Sequence, residues 1–184
     1  MEALPRTIFY DRHVALGAKI VEFGGWEMPV QYASGIVQEH LSTRKQAGLF
    51  DVSHMGRFIV RGTNHLPFLQ HVLSNNADAL DVGESQYTLI PTESGGALDD
   101  AYLYRFFEDE YLLVVNASNR EKDWDHLQDH ARQMGGVELS DRTFETAMLS
   151  LQGPLSKDIL TVLIASGALP DPLRNKLSRV VLSL

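Results

Sequence analysis

Residues 86–116 have the sequence QYTLIPTESGGALDDAYLYRFFEDEYLLVVN, and the expected fold class follows from this stretch. It contains three runs of strand-forming residues separated by short glycine-containing or acidic turns, at 86–91, 97–107 and 111–116. Strands spaced so closely are joined as antiparallel neighbours, because a parallel pair needs a crossover of a dozen or more residues. The stretch therefore predicts an antiparallel meander.

Helical patterns flank this meander, so the predicted fold class is α+β. Apolar residues at helical spacing indicate helices near 34–48 and 64–74, from Ser118 to Met134, and after Gly153-Pro154. Ser118 and Glu121 have the spacing of a capping box for the third of these helices, and Gly135-Gly136 is expected to end it. Further extended segments are expected within 19–32, at 56–61 and at 143–151.

Composition narrows the function classes. The 24 acidic and 16 basic residues give a formal net charge of -8, and no cluster of Lys and Arg is present, which argues against nucleic-acid binding. No apolar run is long enough to cross a membrane, and the N-terminus lacks the pattern of a secretory signal. We therefore expect no membrane partner and a cytoplasmic location. The absence of cysteine excludes disulfides, thiolate catalysis and cysteine-ligated metal centres.

Two adjacent carboxylates, Asp99 and Asp100, follow Gly95-Gly96 in the second strand of the meander. Since alternate residues of a strand share a face, Asp100 is expected beside Tyr102 and Tyr104, and Asp99 on the opposite face. Burial among apolar and aromatic groups would raise the pKa of the Asp100 carboxyl and prepare it to accept a proton or bind a flat heterocycle. A buried salt bridge or a turn cap beside the glycines explains the same residue equally well, so both interpretations stay open.

Other polar residues have simpler structural explanations. Asn116, at the end of the third strand, could bind a ligand's donor and acceptor edge, but a role in starting the next helix is favoured. His126 and His130 have a zinc-binding spacing on that helix, yet acidic neighbours such as Asp123 indicate a solvated face, so no metal site is expected. Segment 51–56 contains a serine and a histidine, but alternating side chains of one extended segment cannot form a catalytic triad. We interpret that segment as a tight loop.

Five separate motifs occur along the chain. They are Gly25-Trp26-Glu27-Met28-Pro29, Gly48-Leu49-Phe50-Asp51-Val52-Ser53-His54-Met55-Gly56, Gly95-Gly96 through Asp99-Asp100, Val114-Val115-Asn116-Ala117-Ser118-Asn119 with Glu121-Lys122-Asp123, and Leu151-Gln152-Gly153-Pro154. In order and spacing they resemble the motifs of the T-protein of the glycine cleavage system, a family of tetrahydrofolate-dependent aminomethyltransferases. The likeness extends from about residue 6 to residue 182 and depends on all five motifs together.

The resemblance implies an activity. Members of this family transfer the aminomethyl group held on the lipoyl arm of the H-protein to tetrahydrofolate, with release of ammonia and formation of 5,10-methylenetetrahydrofolate. By position, Asp100 matches the aspartate that lies by the reactive folate nitrogen, which makes it the candidate catalytic residue. The residues that match the lining of the pterin pocket are Met55, Tyr87, Tyr104, Val115 and Asn116. The implied cofactor is tetrahydrofolate, and the implied partner is the lipoylated H-protein.

The resemblance also implies a domain organisation. Residues 53–138 match a ferredoxin-like antiparallel sheet with helices, and 1–52 with 139–184 match a discontinuous folate-binding domain that is incomplete here. The family's C-terminal barrel domain, and its Arg-Thr-Gly-Tyr-Thr-Gly-Glu type motif, have no counterpart in this sequence. Two alternatives remain, a folate-dependent demethylase and a non-catalytic folate-binding module or fragment that is inactive alone.

Overall fold

The computed structural model describes residues 3–170 and 175–183 of the protein. Its helices are α1 Tyr10–Ala15, α2 Ile36–Lys45, α3 His65–Val72, α4 Arg120–Met134 and α5 Ser156–Leu163. Its strands are β1 Lys19–Phe23, β2 Trp26–Gln31, β3 Gly48–Asp51, β4 Gly56–Arg61, β5 Glu84–Pro91, β6 Ala97–Phe107, β7 Glu110–Val115, β8 Glu138–Asp141, β9 Leu149–Gln152, β10 Ile164–Ser166 and β11 Val181–Leu182. These strands pair antiparallel, which confirms the α+β class. In the described part of the chain, no helix is both long and apolar enough to cross a membrane.

The described residues form two compact units. Unit 1 consists of the described residues within 1–54, 144–169 and 180–184, and unit 2 of those within 55–143 and 170–179. This division differs from the predicted one, in which the second domain ends at 138. β8 belongs to unit 2 because it pairs with β4, with Leu139 opposite Val60. The segment that begins at Asn175 also belongs to unit 2, since the carbonyl of Asn175 accepts a hydrogen bond from the Ser85 N–H at 3.0 Å.

Unit 2 is a five-stranded sheet in the order β5-β6-β7-β4-β8, with a core shared between one sheet face and the helices α3 and α4. Leu103 of β6 and Leu113 of β7 have no solvent exposure and pack in this core with Leu69 of α3 and Leu127 of α4. Burial of each such side chain contributes on the order of 2 kcal/mol, which makes this face the stabilising one. The opposite face, here called the open face, carries Tyr87, Asp100, Tyr102, Tyr104 and Phe106.

Unit 1 contains three two-stranded sheets, β1 with β2, β3 with β9 and β10 with β11, together with α1, α2 and α5. Gly24 and Gly25, both at positive φ, form the turn between β1 and β2, at the predicted break between the two strands. Trp26 and Met28 of β2 are buried, and the Phe144 ring stacks on Trp26 with centroids 5.3 Å apart. Aromatic packing on β2 therefore joins the segment after residue 143 to the N-terminal part of the unit.

The meander is confirmed, as are the helices predicted near 34–48, near 64–74 and after Gly153-Pro154. Two local predictions are wrong. α4 begins at Arg120, and no side chain caps its first turn, so Ser118 and Glu121 do not form the expected capping box. The strand predicted at 143–151 is confined to Leu149–Gln152. The Asp141 carboxylate accepts the Thr143 N–H at 2.8 Å, which turns the chain at the end of β8 instead of extending it.

Candidate functional site

The alternation predicted for β6 is present, but the expected burial is reversed. Asp100 is exposed on the open face, whereas Asp99 is only 8% exposed and lies on the helix-covered face. The prediction that Asp100 is buried among apolar groups is therefore wrong. Both faces of β6 carry apolar residues, and the placement of α3 and α4 determines which face is covered. Strand alternation contains no information about that placement.

Four aromatic side chains, here called the aromatic row, lie beside Asp100 on the open face: Tyr87, Tyr102, Tyr104 and Phe106. The Tyr102 ring lies 6.4 Å from Tyr87 and 5.2 Å from Tyr104, centroid to centroid. The Tyr104 and Phe106 rings stack at 6.1 Å with an interplanar angle of 16°. The row therefore presents flat apolar surface next to a carboxylate, a combination that suits a planar heterocycle with N–H donors.

Tyr87 also contacts Asp100 directly. Desolvation, a hydrogen bond with the Asp100 carboxylate and the charges of Asp100 and Asp99 raise the pKa of the Tyr87 hydroxyl. The hydroxyl therefore stays protonated and donates to Asp100. Burial, together with the neighbouring Tyr102, raises the pKa of Tyr104 as well, so this ring also remains neutral.

Asn116 links the two carboxylates. Its Nδ2 donates to Oδ1 of Asp100 at 2.8 Å and to Oδ1 of Asp99 at 3.0 Å, and its backbone N–H donates to Oδ2 of Asp99 at 3.3 Å. The favoured prediction that Asn116 starts the next helix is not supported, because its side chain makes no capping hydrogen bond. Asn116 instead fixes the orientation of the Asp100 carboxylate.

A third carboxyl group, that of Asp123 in the first turn of α4, lies next to Asp99 and has no solvent exposure. Burial, a hydrogen bond with Asp99 and the charge of Asp99 raise the pKa of Asp123 to about 8. Burial also raises the pKa of Asp99, but hydrogen bonds from Asn116, Asp123 and Asn119 outweigh it and lower that pKa overall. Of Asp99 and Asp123, Asp99 is therefore ionised and Asp123 is protonated at neutral pH.

Met55 and Val115 lie at the end of the sheet near Asn116. Met55 immediately precedes β4, whose first residue Gly56 pairs with Val115 of β7. A Cβ on Gly56 would stand 2.5 Å from Cγ2 of Val115, so only glycine permits this close approach. Val115 has no solvent exposure, and its side chain belongs to the core. Its contribution to a site on the open face is therefore limited to its main chain.

The predicted loop 51–56 begins with a buried network in unit 1. Asp51 accepts hydrogen bonds from Thr7 Oγ1 at 2.6 Å and from the Ser53 N–H at 2.9 Å, and its Oδ2 lies 2.9 Å from Nε2 of His13. Nδ1 of His13 lies 2.8 Å from the Tyr32 hydroxyl. A cavity of about 380 Å³ adjoins this network and is lined by unit 1 residues, whereas Asp100 lies in unit 2. The donors around Asp51 fix the loop conformation.

The two histidines considered for zinc binding contact a third one. His126 and His130 have ring centroids 4.5 Å apart, and Nδ1 of His130 lies 3.2 Å from Nε2 of His71 on α3. Within residues 3–170 and 175–183, no group of three or more potential ligands has an arrangement that could hold a metal ion. These histidines therefore form a contact between α3 and α4.

The geometry at Asp100 defines what this site can do. An exposed carboxylate, oriented by an amide and a neutral tyrosine, can accept hydrogen bonds from a planar ring stacked on the aromatic row. The same fixed negative charge can stabilise positive charge that develops on a neighbouring amine, without reorganisation at the moment of reaction. Such an arrangement suits binding and electrostatic stabilisation of a nitrogen heterocycle.

Comparisons with known proteins show which family the chain belongs to. The sequence model of the GCVT N-terminal domain matches residues 9–170. The chain belongs to this family. The aminomethyltransferase of Prosthecochloris aestuarii is 49% identical over 164 residues, which cover 89% of this chain and 45% of that protein. The aminomethyltransferase of Geobacillus thermodenitrificans is 54% identical over 157 residues, covering 85% of this chain and 42% of that protein.

A solved member of the GCVT family has the same fold. The crystal structure of glycine cleavage system aminomethyltransferase T from Bartonella henselae superposes with a TM-score of 0.82 at 37% sequence identity. The matched region covers 86% of this chain and 43% of that one. The chain thus spans less than half the length of each of these three relatives.

Sequence reasoning missed Asp123 and assigned it to a solvated face, which is wrong. Its position in α4 contains the missing signal. Asp123 lies one helical turn before Leu127 and two turns before Ala131, so it occupies the apolar stripe that packs against the sheet. A carboxylate on such a stripe indicates a neutral acid or a paired charge. Asn119 was also missed, although its Nδ2 donates to Asp99 at 2.9 Å.

Proposed function

We propose that this chain supplies the folate-binding part of an aminomethyltransferase. The reaction transfers the aminomethyl group of lipoylated H-protein to tetrahydrofolate, with release of ammonia and formation of 5,10-methylenetetrahydrofolate. The observation that supports this proposal is the position of the Asp100 carboxylate, which Asn116 and Tyr87 orient beside the aromatic row. Relatives named aminomethyltransferase, about half identical in sequence, support the same assignment. A cytoplasmic location remains a prediction.

The open face suits a pterin in shape and in chemistry. Tetrahydrofolate supplies the nucleophilic nitrogen that takes up the transferred carbon. The Asp100 carboxylate accepts hydrogen bonds from pterin N–H groups and stabilises the positive charge that develops as ammonia is expelled. Tyr87 and Asn116 keep this carboxylate in one orientation, and Tyr104 offers a neutral ring face. Met55 and the main chain of Val115 complete the proposed pocket.

We further propose that unit 2 is a ferredoxin-like domain with one additional edge strand. Support comes from the strand order β8-β4-β7-β6, the antiparallel pairing and the two helices α3 and α4 on a single face, with β5 added at the edge. Unit 1 then corresponds to the discontinuous folate-binding domain that the resemblance implied, since it is assembled from segments on both sides of unit 2 in sequence.

Tetrahydrofolate binding to the 184-residue chain, measured by isothermal titration calorimetry, tests the assignment of Asp100. Loss of a hydrogen bond to a charged group costs roughly 1.5–3 kcal/mol, so Asp100→Asn is expected to weaken binding about tenfold to a hundredfold. Asp109→Asn is the matched control, because Asp109 is an exposed aspartate in the turn between β6 and β7. Equal affinity of Asp100→Asn and wild type, or no binding by wild type, would contradict the proposal.

A further inference from the structure

The orientation of Asp100 depends on a chain of hydrogen bonds that leads into the interior of unit 2. The first link is the Asn116 amide, whose Nδ2 donates both to Asp100 and to Asp99. The second link is Asp99, which accepts three hydrogen bonds, two from Asn116 and one from the side chain of Asn119. The negative charge of Asp99 strengthens the hydrogen bonds that hold Asn116 in place.

The third link is the buried carboxyl group of Asp123, which forms a hydrogen bond with Asp99. Both of its carboxylate oxygens are buried, and neither receives a hydrogen bond from a donor among the described residues. An ionised carboxylate in that position would be strongly disfavoured, because a buried anion needs donors or a counter-charge. A protonated carboxyl needs no incoming donor on its hydroxyl oxygen, and it can itself donate.

We infer that Asp123 is a positioning residue of the Asp100 site: as a neutral acid it donates a hydrogen bond to Asp99, which holds Asn116 against Asp100. Its importance for aminomethyl transfer rests on the proposed function, but its effect on Asn116 does not. The arrangement resembles a pair of carboxyl groups that share one proton, since two like charges so close together cannot both be ionised.

The surroundings of Asp123 support a single titration in the neutral to alkaline range. Burial, a hydrogen bond with Asp99 and the charges of Asp99 and Asp100 together raise the pKa of Asp123 to about 8, and Lys122 on the same helix acts against them. Further charged or titratable groups lie where other segments meet α4. They include Asp141 of β8, which pairs with Arg120, His71 of α3, which contacts His130, and Glu93, whose charge acts on His126. None of these groups is among the interactions that dominate the pKa of Asp123.

Deprotonation of Asp123 has a specific consequence for the site. Two neighbouring anions would then repel each other, and Asp99 would lose the donor on that side. The Asn116 amide, which Asp99 shares with Asp100, would be released as Asp99 moves. The order of the Asn116 side chain should therefore fall as pH rises through the titration of Asp123, whereas a merely space-filling acid would leave Asn116 unchanged.

Nuclear magnetic resonance of the 184-residue chain can follow both groups at once. The carboxyl carbon of Asp123 reports its titration, and solvent exchange of the Asn116 side-chain NH₂ protons reports the order of that amide. We expect Asp123 to titrate near pH 8 and Asn116 exchange to accelerate over the same range, beyond the base-catalysed increase seen for exposed asparagines. In Asp123→Asn, whose amide can donate to Asp99 but does not titrate, the additional acceleration should disappear.

Two controls separate positioning from folding and from the proposed function. Asp125→Asn, an exposed neighbour on α4, should leave the exchange of Asn116 as in wild type. Titration of Asp123 below pH 5, or exchange of Asn116 that does not follow its titration, would overturn the inference. Tetrahydrofolate added to the same samples is read separately. Absence of binding with coupled titration intact would count against the proposed function and leave the positioning role standing.

Discussion

Protein stability offers an independent test of the protonated state of Asp123, through Asp123→Asn. The ordinary pKa of this carboxyl is 3.8 and its pKa in the fold is about 8, so the folded state binds one more proton than the unfolded state between these values. The stability that this proton contributes is fully present below pH 3.8 and is lost as pH rises towards 8. At about 1.4 kcal/mol per pH unit, the loss between pH 5 and pH 7 is roughly 3 kcal/mol.

Urea unfolding of wild type and Asp123→Asn at pH 5 and pH 7 measures this quantity. We expect the variant to gain about 3 kcal/mol relative to wild type between the two pH values, because its amide does not titrate. The contributions of other titrating groups cancel in the difference between the proteins. Asp125→Asn, in which an exposed aspartate is changed, should show a constant difference from wild type. If the free energies of unfolding of wild type and Asp123→Asn differ by the same amount at both pH values, Asp123 does not have a raised pKa.

Three further changes test other parts of the structure. Leu103→Ala removes a side chain without solvent exposure from the core of unit 2 and should lower the free energy of unfolding by about 2–5 kcal/mol in urea titrations; a smaller loss would place Leu103 outside the packed core. Gly153→Ala should destabilise unit 1, because φ is +109° and the new Cβ would stand 2.5 Å from the Thr43 carbonyl oxygen; an unchanged melting temperature would contradict this contact. Burial raises the pKa of Asp51, but its hydrogen bonds, of which the one with His13 is the largest, outweigh burial and lower this pKa overall. Stability from this group is therefore present above its unfolded pKa and lost as pH falls through its folded pKa, so Asp51→Asn should reduce stability at pH 7 and less so in acid, as thermal melts at the two pH values can show.

The sequence contained enough information for the meander and for the two faces of β6. Short turns constrain strand pairing locally, and alternation places Asp100 with the tyrosines irrespective of tertiary structure. The choice of the buried face depends on contacts with α3 and α4, which lie on either side of β6 in the sequence. Asp99 is tolerated beneath the helices because Asn116 and Asn119, which follow at the end of β7, supply its hydrogen bonds. No pattern within β6 itself indicates those donors.

The helix α4 shows both the strength and the limit of periodicity. Leu127 and Ala131 lie in the core as the apolar stripe predicted, and Gly135 ends the helix at positive φ. Asp123 lies on the same stripe, but because it is acidic it was predicted to lie on the solvated face. Its burial becomes intelligible only with Asp99 beside it, since the raised pKa depends on that contact. A titratable residue on the apolar stripe of a helix therefore indicates a buried neutral group as readily as a solvated face.

Whether the open face of unit 2 binds tetrahydrofolate can be determined by mapping the ligand on the chain. Amide and aromatic resonances of the 184-residue protein can be recorded during titration with tetrahydrofolate. We expect shifts concentrated at Tyr87, Tyr102, Tyr104 and the Asn116 side chain, and none around the contact between His71 and His130. Shifts confined to α3 and α4, or to the cavity beside His13 in unit 1, would contradict it.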